Sequence, residues 1–149
     1  MPSIKKILAP IDFSEVSNRS LDYAVDLAAQ VKAAVSVIHV YEIPVYAFAD
    51  GAIITPPEVA AELAGRAQKS LDAAVAERSD RGVEISGTLT NGSPREEILR
   101  LAKEGNADLI VMGTHGRRGL PRAIMGSVAE RVLRTSEIPV LTVRGPRES

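Results

Sequence analysis

Gly113-Thr114-His115-Gly116-Arg117-Arg118-Gly119-Leu120-Pro121-Arg122-Ala123-Ile124-Met125-Gly126-Ser127 separates two segments of different character. Before it, Ala107-Asp108-Leu109-Ile110-Val111-Met112 is a short, branched apolar run, the pattern of a buried parallel strand. After it, Val128, Val132 and Leu133 recur with helical spacing. The region therefore reads as strand, glycine-punctuated loop, helix. Glycine permits positive φ and close approach of backbone to a ligand. A helix start presents unpaired N–H groups and the positive end of a dipole. Arg117, Arg118 and Arg122 add positive charge, with no acidic residue between Gly113 and Ser127. A polyphosphate fits this chemistry. A second reading is open at this level. Ser127 and Glu130 have the spacing of a capping box, the glycines shape a loop, and the arginines form a solvated face.

Working outward, the first strand is Lys6-Ile7-Leu8-Ala9-Pro10-Ile11, with Asp12 at its carboxyl tip. In an open α/β sheet the ligand crevice lies beyond such tips. Asp12 there can take a ribose hydroxyl or a phosphate-held magnesium ion, or it can cap the coming turn with Ser14. Ser17 is the expected cap of a helix running to Val31, with Leu21, Ala24, Val25, Ala28 and Val31 as its buried stripe. Ala34–Tyr41 is the second strand. His39 lies inside its apolar run and reads as a satisfied core histidine rather than a catalyst.

Residues 42–55 show no clear period and suit a surface connection or a flap over the site. Thr55-Pro56-Pro57-Glu58 predicts a capping box and a helix to Arg81, stopped by Gly82. Val83–Thr90 alternates like an edge strand, and Asn91-Gly92 turns the chain. Ser93-Pro94-Arg95-Glu96 starts a third helix, which buries Ile98, Leu101 and Ala102 and closes at Gly105. The helix after the glycine loop breaks at Glu137-Ile138-Pro139, and Val140–Val143 is the last strand. Alternating strands and helices predict an α/β fold with a parallel sheet in one domain.

The bulk composition narrows the function. The 149 residues carry 45% hydrophobic and 25% charged side chains with a formal net charge of -1, so no global basic bias favours nucleic acid. Aromatics make up 3%, too few for a base-stacking platform. The absence of cysteine excludes thiolate catalysis and cysteine zinc sites. No long apolar segment suggests a signal peptide or a membrane span, so a cytoplasmic protein is the default expectation. There is no G-x4-G-K-[ST] loop and no G-x-G-x-x-G after a strand, which disfavours the usual NTPase and dehydrogenase machinery.

Gly113-x2-Gly116-x9-Gly126-Ser127 resembles the nucleotide-binding signature of the universal stress protein family, and the resemblance extends from Lys5-Lys6-Ile7-Leu8-Ala9-Pro10-Ile11-Asp12-Phe13-Ser14 to Ile138-Pro139-Val140-Leu141-Thr142-Val143. It implies an open, Rossmann-like five-stranded parallel sheet of order 3-2-1-4-5 with helices on both faces. It implies ATP as ligand, magnesium travelling with the phosphates, and a homodimer paired through the strand Pro139–Arg144. On this resemblance, backbone near Ile11 and Val40 holds adenine, Pro10 belongs to the same cofactor site, and Asp12 takes the ribose or metal side. Met112, Gly113, His115, Gly116, Gly126, Ser127 and Val128 surround ribose and phosphates. Asp12 is the only carboxylate expected in the crevice. ATP hydrolysis at a slow rate, or an adaptor dimer that binds no nucleotide, are the other functions the sequence allows.

Overall fold

In the computed structural model, residues 2–45, 47–51, 55–115 and 125–145 are described. Strands β1 (Lys6–Pro10), β2 (Ala34–Tyr41), β3 (Ile85–Asn91), β4 (Leu109–Gly113) and β5 (Val140–Val143) alternate with helices α1 (Glu15–Val31), α2 (Pro57–Ala76), α3 (Pro94–Glu104) and α4 (Ser127–Thr135). The strands form one sheet of order β3-β2-β1-β4-β5. Every pairing is parallel: Lys6 faces Ala34, Ile7 faces Leu109, Val35 faces Ile85 and Ile110 faces Val140. The chain order reverses between β1 and β4, so their carboxyl ends flank the switch point.

Both faces of the sheet are covered, which is why the central strands read as continuous apolar runs. Ile7, Ala9, Val35, Val37 and Val111 pack with Leu21, Val25 and Leu71 beneath α1 and α2. Leu8, Ile38, Ile110 and Met112 pack with Ile98, Ala102, Ala129 and Val132 beneath α3 and α4. The narrow stripe of α4 is Ala129 and Val132; Leu133, expected on it, is exposed.

Three helix boundaries differ from expectation. The N-cap of α1 is Ser14, not Ser17, because Ser14 Oγ accepts the Ser17 N–H at 3.2 Å. Ser17 is buried one turn inside, where its hydroxyl donates to the Ser14 carbonyl at 3.1 Å. The capping box at Thr55 and Glu58 does not form, since the Thr55 hydroxyl donates to the Pro44 carbonyl and Pro56 is the cap. Helix α2 ends at Ala76, short of Arg81. There the N–H groups of Arg78 and Ser79 turn to carbonyls three residues back, those of Val75 and Ala76. The Arg78 guanidinium, 5% exposed, takes the Ala74 carbonyl at 2.8 Å and Asp22 of α1 at 2.9 Å, fastening this end of α2 to α1.

Candidate functional site

Beyond the carboxyl ends of β1, β2 and β4 lies a cavity of about 640 Å³, within the usual range for small-molecule sites. Its floor is the end of β1, Pro10 and Ile11, followed by Asp12. On one side stand Val40, Tyr41 and Glu42 at the end of β2, with Ser93 to Arg95 at the start of α3. On the other stand Met112, Gly113 and His115 after β4, with Gly126 to Val128 at the start of α4. Two helix N-termini therefore open toward one cavity. The sequence-derived candidates Pro10, Ile11, Asp12, Val40, Met112, Gly113, His115, Gly126, Ser127 and Val128 all line it. Gly116 lies outside the described residues, as do Arg117, Arg118 and Arg122.

Short local bonds hold Asp12. Its Oδ1 accepts the Ser14 N–H at 3.0 Å, an Asx turn. Its own N–H donates to Ser17 Oγ at 3.2 Å. Ser17 thus gives up the expected capping role and braces the turn from inside the helix. His39 lies at the end of β2, half-buried, with Nδ1 2.8 Å from the Ile11 carbonyl.

On the opposite side the described bonds run mainly between backbone groups. The N–H of Thr114, a residue 5% exposed, donates to the Val143 carbonyl at 3.0 Å, which continues the sheet one step past β4. The Thr114 carbonyl accepts the Gly126 N–H at 2.7 Å, drawing the two ends of the long β4–α4 connection together. Thr114 Oγ1 lies 2.9 Å from His115 Nδ1. The capping box at Ser127 and Glu130 does not form. Gly126, at φ −61° and ψ 150°, is the cap residue, and its carbonyl accepts the Glu130 N–H at 2.9 Å. Ser127 consequently occupies the first helical position, and the Glu130 side chain pairs with Arg134.

Gly113 is required for a reason the sequence conceals. A Cβ at this position would lie 2.7 Å from Cγ1 of Val16 and 3.3 Å from the His115 carbonyl oxygen. Its smallness admits the first turn of α1.

Charge in the cavity is mixed. Glu42 joins Asp12 as a second lining carboxylate, correcting the expectation of one. Arg95 is the only lysine or arginine among the described lining residues. Glu42 follows the last residue of β2 directly, so the rule that the crevice lies beyond strand ends could have found it. Arg95 carries no comparable signal, because the sequence does not show which face of the sheet α3 covers. Beside the cavity, the β3–α3 connection is locked by Glu97, whose Oε1 accepts from Thr90 Oγ1 at 2.7 Å. Arg100 first, then Thr90, hold the Glu97 carboxyl down to about 2. Among the described residues no group of three or more His, Asp or Glu side chains could hold a metal ion. Asp12 can supply one carboxylate to a cation that arrives with phosphates, the common arrangement for magnesium.

A doubly wound α/β protein with a small-molecule cavity at its switch point is the class that fold and site define. Within it, the family model for the universal stress protein family matches residues 3–144. The chain belongs to that family. It is 36% identical to universal stress protein MJ0531 of Methanocaldococcus jannaschii, over 97% of this chain and 84% of that one. The solved structure of hypothetical protein MJ0577 from the same organism has a TM-score of 0.83 at 27% identity, covering 99% of this chain and 100% of that one. A universal stress protein from Archaeoglobus fulgidus, solved in complex with dAMP, has a TM-score of 0.65 at 25% identity, covering 96% and 99%. Among the described residues, no helix is long and apolar enough to cross a membrane.

Proposed function

We propose that this chain is an adenine-nucleotide-binding regulatory protein whose working ligand is ATP, carried with magnesium. The observation that supports this most is the gathering of Asp12, Val40 and the Gly126–Val128 helix start around one cavity. In this reading the backbone at Pro10, Ile11 and Val40 holds the base, and Asp12 takes the ribose or the metal. The N–H groups at the start of α4, with the Ser127 hydroxyl, receive phosphate oxygens. Met112, Gly113 and His115 form the wall between, and Gly116 belongs to the same signature. Charge-assisted hydrogen bonds contribute roughly 1.5–3 kcal/mol each. Several of them, after ordering costs, give micromolar affinity, about -8 kcal/mol. The Archaeoglobus fulgidus relative seen with dAMP lends support, since it shares the adenine base.

The role is binding rather than rapid turnover. Hydrolysis requires an oriented water and stabilised charge on the transferring phosphoryl group, and the Asp12 carboxylate already braces its own turn. Turnover is expected below about 1 per second. The protein acts as a homodimer through β5, one of the two edge strands, whose four residues are only half-buried in one chain. Pairing with a second copy removes an apolar edge. Sedimentation at micromolar concentration checks this, and a monomer contradicts it.

Calorimetric titration of ligand-stripped protein with ATP and magnesium tests the proposal. One site per chain with micromolar Kd is expected, and Gly126→Val is expected to abolish it. Silence at millimolar ATP, or unaltered binding by Gly126→Val, overturns the reading.

A further inference from the structure

The peptide linking Ile11 to Asp12 is held at both ends. Its N–H donates to Ser17 Oγ at 3.2 Å, and its carbonyl lies 2.8 Å from His39 Nδ1. A carbonyl only accepts, so Nδ1 carries the proton in this contact. The N–H of Ile11 donates to the Ile38 carbonyl at 2.8 Å. Consecutive residues of β2 thus satisfy both backbone groups of Ile11.

The same imidazole meets the turn a second time. Its ring centroid is 4.3 Å from that of Phe13, with the planes inclined by 42°. Phe13 has φ 63°, a left-handed conformation that bulky residues rarely adopt and that persists only where the surroundings enforce it. His39 therefore touches the residue before Asp12 and the residue after it. Along β2, Val35 and Val37 point to the same sheet face as His39 and are buried. A third valine would continue that stripe but could not donate to the Ile11 carbonyl.

We propose that His39 is a positioning residue for Asp12. Its Nδ1–H fixes the plane of the Ile11–Asp12 peptide, and its ring holds Phe13 in the left-handed conformation. The Asp12 carboxylate then meets the sugar of the bound nucleotide already oriented, which lowers the ordering cost of binding. The effect on affinity rests on the nucleotide reading above. The effect on the turn does not.

The test compares His39→Leu, which keeps volume and loses the donor, with His39→Asn, whose amide nitrogen can occupy the place of Nδ1. Amide hydrogen exchange at Asp12 and Ser14 is followed in the ligand-free protein, and ATP affinity is measured by titration. His39→Leu is expected to speed exchange at both amides and weaken ATP roughly tenfold, the scale of one lost hydrogen bond. His39→Asn is expected to stay within about threefold of wild type in both measurements. Unchanged exchange in His39→Leu overturns the proposal. Equal damage by both variants also overturns it, leaving His39 a packing residue. Faster exchange with unchanged affinity overturns the link to the ligand. Wild-type protein that binds no ATP refutes the nucleotide reading, while the exchange data still decide the turn.

Discussion

Between β1 and α1 the chain uses residues 11–14; between β4 and α4 it uses residues 114–126. Both start at the switch point, and Ile11 and Asp12 of the first and Thr114, His115 and Gly126 of the second line the same cavity. The short one is held by side chains: the Asp12 carboxylate, the hydroxyls of Ser14 and Ser17, and the His39 ring. The long one is tied at its ends by backbone, through the Thr114 bonds to Val143 and Gly126. The short turn is thereby fixed by its own hydrogen bonds, and it places the Asp12 carboxylate at the cavity. The long connection ends in helix N–H groups and suits an anion.

The sharpest way to break this contrast is to separate its two glycines. Gly113→Val drives a side chain into Val16 and is expected to cost about 3 kcal/mol, the upper range for overpacking. In thermal unfolding this is a fall of roughly 10 °C, with Val16→Ala in the same chain restoring part of it. Gly126→Val occupies a conformation, φ −61° and ψ 150°, that valine adopts readily. It is expected to cost no more than about 1 kcal/mol as a poorer cap while removing ATP binding. If both variants unfold the protein equally, the distinction between a packing glycine and a ligand glycine fails.

A smaller effect is expected in the short turn. Ser14→Ala removes the cap of α1 and should cost about 1 kcal/mol in urea unfolding. Asp12→Asn keeps an acceptor for the Ser14 N–H and should leave stability nearly unchanged, whereas Asp12→Ala should resemble Ser14→Ala. Loss of stability in Asp12→Asn equal to that in Asp12→Ala would show that charge, not the hydrogen bond, holds the turn.

The smallest effect comes from the β3–α3 connection, which also relies on a side-chain lock. The Glu97 carboxyl is depressed from 4.5 to about 2, chiefly by Arg100 and then by Thr90. A depressed acid contributes stability that is fully present above its unfolded value and is lost as pH falls through the folded one. Its contribution should therefore fade between about pH 4.5 and 2. The partly exposed Arg100 keeps the effect modest. Glu97→Gln should flatten the stability profile across that interval, and an unchanged profile would remove Glu97 from the account.

These regions also show what the sequence makes legible. Four apolar runs and one alternating strand, set between amphipathic stretches, suffice for an α/β sheet, and β5 is found where Val140–Val143 places it. The strand order came with the family signature, and the sheet has it. Helix starts are harder: Ser17 reads as the cap of α1, and only the Ser14 Oγ bond to the Ser17 N–H moves the cap to Ser14. Just past the end of α2, Arg78 reaches Asp22, a contact across 56 positions that no local pattern records. Gly113 was visible as a glycine, but its reason, Val16, lies on a helix distant in sequence. Glu42 was within reach of the strand-end rule, whereas Arg95 enters the cavity only because the fold sets the start of α3 beside the end of β2.

The central claim is that one adenine nucleotide spans the cavity from the end of β2 to the start of α4. Backbone amide chemical shifts recorded while ATP and magnesium are added to ligand-stripped protein test it most directly. The account predicts saturable shifts with one micromolar Kd at both ends together, at Asp12 and Val40 and at Gly126, Ser127 and Val128. No saturable shift at millimolar ATP, or shifts confined to residues away from these two ends, would contradict it.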